Sequence, residues 1–192
     1  MTVRASMATL ITDLRFKVGD PIVAGTPPTS VFTDAELQSA LDRHRIDVLQ
    51  APLTARPTLM AGGYQWVDYQ SRWGFWEDDA TISDATWVPI AATIAGTPPV
   101  TVYTADHLGG HWTFATSILP TLYVTGKTYN LFAAAVDVLR AGQARAAAEF
   151  DFAADGQNFS RSQKGRAMAA SAAEYQRYAA SSGRRLVGLF DD

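Results

Sequence analysis

The chain has 192 residues, 47% of them hydrophobic, and a formal charge of −3 with no basic cluster; it can bury a core and is a poor match to a protein that grips nucleic acid. The absence of cysteine excludes disulfides, thiolate zinc sites and cysteine nucleophiles. No apolar run approaches the ~20 residues that span a bilayer, and "MTVRASMATLITDLRF" is a poor signal peptide, so a cytosolic protein with no membrane segment is expected.

The first segment reads as helical. "ASMATLITDLRFKVGDP" spaces Met7, Leu10, Ile11, Leu14 and Val18 by threes and fours, and Gly19 and Pro21 end the run. After the Pro/Gly loop "IVAGTPPTS", "VFTDAELQSALDRHRIDVL" opens on a capping box. Thr33 is the N-cap, Glu36 reaches back to its amide, and Phe32 and Leu37 are placed as a hydrophobic staple. This helix is expected from Asp34 to about Leu49, where "QAPLTARP" stops it. His44, between Arg43 and Arg45, reads as an exposed helix residue.

The middle changes character. All five tryptophans lie there: Trp66, Trp73, Trp76, Trp87 and Trp112. "YQWVDYQSR", "TWVPIAATIAG", "VTVYTA", "HWTFAT" and "TLYVTG" are short, β-branched and aromatic, and separated by Gly, Pro and Asp. Gly63 to Gly126 therefore reads as a small antiparallel β unit. Between residues 61 and 127 only Arg72 and Lys127 oppose Asp68, Glu77, Asp78, Asp79, Asp84 and Asp106.

The third segment returns to helix. "KTYNLFAAAVDVLRAGQARAAAEF" lines up Phe132, Val136, Leu139, Ala146 and Phe150. A joint follows, in which Phe150 and Phe152 anchor to the core and Asp155-Gly156 turns the chain. Phe159, Ser160 and Gln163 then start the last helix, with Ser160 as N-cap and Gln163 at N3. That helix is expected to reach about Ser181, with Met168, Ala172, Tyr175 and Ala179 inward. Alanine dominates both helices, which suits packing against several neighbours, some from other subunits. The apolar end of "RRLVGLFDD" needs something to dock on. The expected fold is mainly α: a bundle of about four helices (residues 1–62 and 126–182) with an inserted small antiparallel β unit (63–125), α+β overall, and a docking tail (183–192).

No motif supports an enzyme or a cofactor. "TGKT" at Thr125–Thr128 resembles the end of a phosphate loop, but Thr121 stands where a glycine is needed; a turn and helix start is the better reading. His107, His111 and Asp106 read as a polar hairpin turn rather than a metal site. Glu77, Asp78, Asp79 and Asp84 match no calcium loop and read as a solvated acidic loop. The tryptophans serve mainly as core, with Trp66, Trp73 or Trp76 as candidate exposed contact residues for a glycan or host surface. Asn158-Phe159-Ser160 fits a glycosylation sequon, a reading that falls away without a secretion signal.

The blocks "LITDLRFKVGDP", "FTDAELQSALDRHRIDVL" and "GKTYNLFAAAVDVLRAGQARAAAEFDFAADGQNFSRSQKGRAMAASAAEYQRYA" together resemble the head–tail connector (adaptor, or head-completion) proteins of long-tailed bacteriophages and related gene-transfer particles. The resemblance covers roughly residues 5–50 and 125–180, and the Trp-rich insertion lies outside it. It implies a structural, non-enzymatic ring subunit, usually dodecameric, in the virion neck and assembled in the host cytoplasm. The ring sits between the portal protein and the stopper or tail-completion protein and passes DNA through its lumen without specific binding. A near-neutral to acidic charge suits such a lumen. The tail would meet the portal, with Arg184 and Arg185 on carboxylates and Leu186, Val187, Leu189 and Phe190 in an apolar groove. The alternatives are another neck component (a stopper or tail terminator) and a binding module built on the β insertion.

Overall fold

The computed structural model describes residues 2–20, 30–83, 103–118, 122–150 and 159–182. The chain divides into two compact units: Met1–Arg45 with Asn130–Asp192, and Ile46–Tyr129. The fold is not mainly α. Four helices and seven strands in two antiparallel sheets make it a mixed α/β fold.

In the helical unit, a 3₁₀ turn (Ala5–Met7) leads into α1 (Ala8–Val18). Met7, Leu10, Ile11, Leu14 and Val18 are all buried, as their spacing requires; each contributes roughly 1.5–3 kcal/mol of gross hydrophobic stabilisation. The helix stops at Gly19 in a Schellman turn, in which the Asp20 amide donates to Arg15 O and the Gly19 amide to Phe16 O. Arg15 is buried on this face. Its guanidinium donates to Asp20 Oδ2 (2.9 Å), Asp34 Oδ1 (2.7 Å) and Phe32 O (2.8 Å). Asp20 in turn accepts from the amides of Val31 (2.9 Å) and Phe32 (3.1 Å). One buried ion pair thus ties the end of α1 to the start of α2 (Asp34–Asp42).

The capping box of α2 is present: Glu36 N–H donates to Thr33 Oγ1 (3.3 Å), and Thr33 N–H donates to Glu36 Oε2 (2.8 Å). The helix ends at Asp42, however, not near Leu49, and β1 (Arg45–Pro52) begins three residues later. The charged run Asp42–Arg45 prolongs a helical period in the sequence, but Ile46 and Val48 are β-branched and pair in a sheet. His44 is correspondingly not an exposed helix residue. It sits half-buried at the junction, with Nε2 3.0 Å from Asp137 Oδ2.

Helix α3 (Leu131–Phe150) starts on Asn130, whose Oδ1 accepts from Ala133 N–H (3.1 Å), a side-chain cap. Its Leu131, Ala134, Ala135, Val136, Val138 and Leu139 are buried, a broader stripe than the spacing predicts. Helix α4 (Phe159–Ser182) begins one residue before the expected cap Ser160. It lies against α3 through Phe132, whose ring meets Tyr175 and Tyr178 at 5.9 and 5.4 Å. Tyr175 Oη also donates to Lys17 O (3.0 Å). Met168, Ala172, Tyr175 and Ala179 do turn inward, but only Ala172 is fully buried among the described α4 side chains.

The second unit holds both sheets. One has the order β1-β7-β4 and the other β2-β3-β6-β5, formed by β2 (Thr54–Met60), β3 (Gly63–Gln70), β4 (Thr81–Ser83), β5 (Tyr103–Asp106), β6 (His111–Phe114) and β7 (Tyr123–Tyr129). The chain passes from the first sheet to the second at Leu53, whose amide donates to Leu122 O (2.8 Å). The sheets share one core, built on Tyr69, Trp76, Trp112, Phe114, Ile82 and Val124. Strands β1 and β2 are read in the sequence as helix end and loop, because Pro52 and Pro57 interrupt them; Pro57 is tolerated where the β2–β3 register shifts, next to Arg56. Of the expected strands, "TWVPIAATIAG" lies outside the described residues.

"TGKT" is neither a phosphate loop nor a turn and helix start. Thr125–Thr128 lies inside β7, with Thr125 paired to Thr81 of β4. Gly126 is there for space: a Cβ would stand 3.0 Å from Ala80 Cα and Cβ.

Candidate functional site

Among the described residues no group of histidine, aspartate and glutamate side chains could hold a metal ion, and no helix is long and apolar enough to cross a membrane. His107 and His111 flank the β5–β6 turn but face different partners. The His107 ring stacks edge-on to Trp112 (6.3 Å), while His111 Nε2 lies 3.7 Å from Asp68 Oδ1. Asp106 Oδ1 accepts from Gly109 N–H (3.0 Å) and shapes the turn. That turn is clamped to residues 71–76, since Leu108 O and His107 O accept from the amides of Phe75 and Trp76.

The acidic run is not a wholly solvated loop. Glu77 is fully buried and accepts from Tyr129 Oη (2.6 Å), with Lys127 Nζ at 3.5 Å from its Oε2. Asp79 shares that lysine at 3.5 Å. Asp84 lies outside the described residues. This is a buried charge with partners, a support for the sheet rather than a cation site.

The three candidate contact tryptophans separate. Trp76 is fully enclosed, its indole N–H donating to Trp73 O (2.9 Å) and its ring packed edge-on against Trp112 (5.9 Å). Trp73 is half-buried, with the Arg72 guanidinium over its ring at 4.1 Å. Trp66 is half-buried on β3, where its backbone is fixed by Ser117 Oγ and Ile118 N–H.

Around Trp66 the structure presents a surface that the sequence reading missed. Strand β6 pairs with β3 only from Asp68 to Gln70. Beyond that, β2 and β3 continue as a two-stranded ribbon whose turn is Ala61-Gly62. Pro57 pairs with Trp66 and Leu59 with Tyr64, so these four share one face of the ribbon. Leu59 is 70% and Tyr64 68% exposed. No charged residue or histidine occurs from Pro57 to Val67, in a unit that is otherwise acidic. That uncharged run is the signal that could have found the ribbon from sequence.

A second apolar surface lies on the helical unit. A cleft of about 340 Å³ is lined by Val3, Ala5, Ala8, Ile11, Thr12 and Phe16, with Arg4, Arg15 and Asp34 at its edge. Phe16 is 68% exposed. The edge charges are already matched: Arg4 Nη2 with Asp42 Oδ1 at 2.6 Å, and Arg15 with Asp20 and Asp34.

No protein family, characterised protein or solved structure matches this chain. The geometry alone must therefore carry the functional reading. It offers surfaces for contact and, among the described residues, no assembled catalytic group.

The interhelix joint is described at its edges. Phe150 closes α3, and Phe159, Ser160 and Gln163 lie in the first turns of α4. Phe152, Asp155 and Gly156 lie outside the described residues, as does the whole tail: Arg184, Arg185, Leu186, Val187, Leu189 and Phe190.

Proposed function

We propose that this chain is a structural subunit of a bacteriophage neck ring, placed between the portal at the capsid vertex and the stopper or tail, with DNA passing through the lumen. The observation that carries this reading is α4. It is a helix of 24 residues, rich in alanine, in which Ala172 alone is fully buried among the described side chains. A helix so thinly covered by its own chain is suited to neighbours from other subunits. The resemblance of the helical segments to head–tail connectors supplies the setting. The β unit, with its acidic balance, would face outward or toward the next ring.

Immunogold labelling of native particles is expected to place the chain at the neck; label over the shell or along the tail would overturn the reading. Deleting residues 184–192 should leave the subunit folded, by circular dichroism, and abolish co-purification with the portal. Truncated protein that still completes heads would remove the tail from the mechanism.

A further inference from the structure

We infer that the ribbon of one copy of this chain docks on the cleft beside Phe16 of a second copy, a head-to-tail contact that repeats from subunit to subunit. The inference rests on the ring reading above and names the contact that would close the ring. Rotational rings need heterologous interfaces, in which two different patches of the same chain meet. This chain carries two such patches, one on each unit: Pro57, Leu59, Tyr64 and Trp66 on the ribbon, and Val3, Ala8, Ile11, Thr12 and Phe16 on the helical unit.

Their chemistry is complementary. The ribbon brings no charge from Pro57 to Val67. The cleft has none to spare, because Arg15 is held by Asp20 and Asp34, and Arg4 lies 2.6 Å from Asp42. Burying one patch on the other therefore strands no ion, which would otherwise cost several kcal/mol. The volume of about 340 Å³ falls in the range of pockets that enclose a ligand, ~300–1,000 Å³, so it can admit the side chains of a ribbon tip.

Other occupants fit less well. Ribbon against ribbon would bury one strip of four side chains on each copy, well short of the ~800 Å² per partner of a stable interface. An anionic bilayer would meet the acidic excess of the β unit, where polybasic segments are what such surfaces attract.

The lack of cysteine makes the test direct. Phe16→Cys and Tyr64→Cys are introduced singly and together into the full chain; both sites are exposed, so the fold should tolerate them. Mixed and oxidised, the two single variants should yield the F16C–Y64C heterodimer in excess of either homodimer. The double variant should form a ladder of dimers and higher species that collapses on reduction. Adding Leu59→Asp should lower the ladder at least tenfold.

Each other outcome overturns the inference. Homodimers of Y64C in excess would make the contact ribbon-to-ribbon. A disulfide closed within single chains, without a ladder, would make it intramolecular. Oligomers in sedimentation velocity without the ladder would leave the ring reading standing and remove this contact. A chain that stays monomeric up to high concentration, with no ladder, would sink both.

Discussion

Two side chains carry much of the order in the helical unit. Arg15 is 5% exposed and neutralises a carboxylate, Asp20, that also organises the amides of Val31 and Phe32. Arg15→Ala would leave Asp20 buried without its cation, and breaking such a pair costs about 3–5 kcal/mol. Urea unfolding followed at 222 nm should register that loss; a change below ~1 kcal/mol would show that Asp34 and solvent compensate. Glu36 acts more weakly and with a pH dependence. The Thr33 amide, and after it Arg145, holds its carboxyl below the ordinary range. A carboxyl with a depressed folded-state pKa stabilises the protein above its unfolded value, about 4.3, and that contribution is lost as pH falls through the lower folded value. Glu36 is 41% exposed in its side chain, so the effect is small, about 0.5 kcal/mol. Glu36→Gln should therefore be less stable than the parent at pH 7 and indistinguishable from it at pH 2.5, in paired urea titrations. A gap that persists in acid would assign the effect to the amide's geometry rather than its charge.

At the scale of elements, the sheet β1-β7-β4 depends on a close approach at Gly126. Gly126→Val would push a branched side chain into Ala80, and overpacking of this kind costs roughly 1–3 kcal/mol. Since the strand lies next to the shared core, tryptophan fluorescence should show the loss. An unshifted midpoint would mean that the residues around Ala80 yield. The same strand shows where local signals run out. The period of α1, the capping box of α2 and the alanine-rich helices are properties of neighbouring residues, so they could be read directly. Whether "TGKT" forms a turn or a strand depends on β4, which lies over forty residues upstream. Helix α2 misleads for the opposite reason: Arg43 to Leu49 satisfies a helical period, and only pairing with the distant β7 makes it a strand. The burial of Trp76, the partners of Glu77 and the exposure of Leu59, Tyr64 and Phe16 are likewise decided by which elements meet. The site was therefore less legible than the helices. Composition located the tryptophans, but topology chose which of them reach the surface.

For the whole molecule, the two units have different reporters. Every tryptophan lies between Ile46 and Tyr129, whereas all four α-helices lie outside that span. Each unit has its own buried apolar cluster. Unfolding followed by fluorescence and by ellipticity at 222 nm should give transitions that do not coincide. Superimposable curves would instead show that the units melt as one.

The two crossings between the units are close together, since Asn130 N–H donates to His44 O at 3.1 Å. The chain therefore leaves the helical unit and returns to it at nearly one point. While the β unit is folded, it holds those two ends in place. Once it melts, the same span becomes a slack loop of roughly 80 residues, and holding its ends together then costs about 4 kcal/mol of chain entropy. Damage confined to the strands would thus loosen the helices without touching any helical contact. Replacing the whole span by a short bridge from Arg45 to Asn130 would spare them that strain.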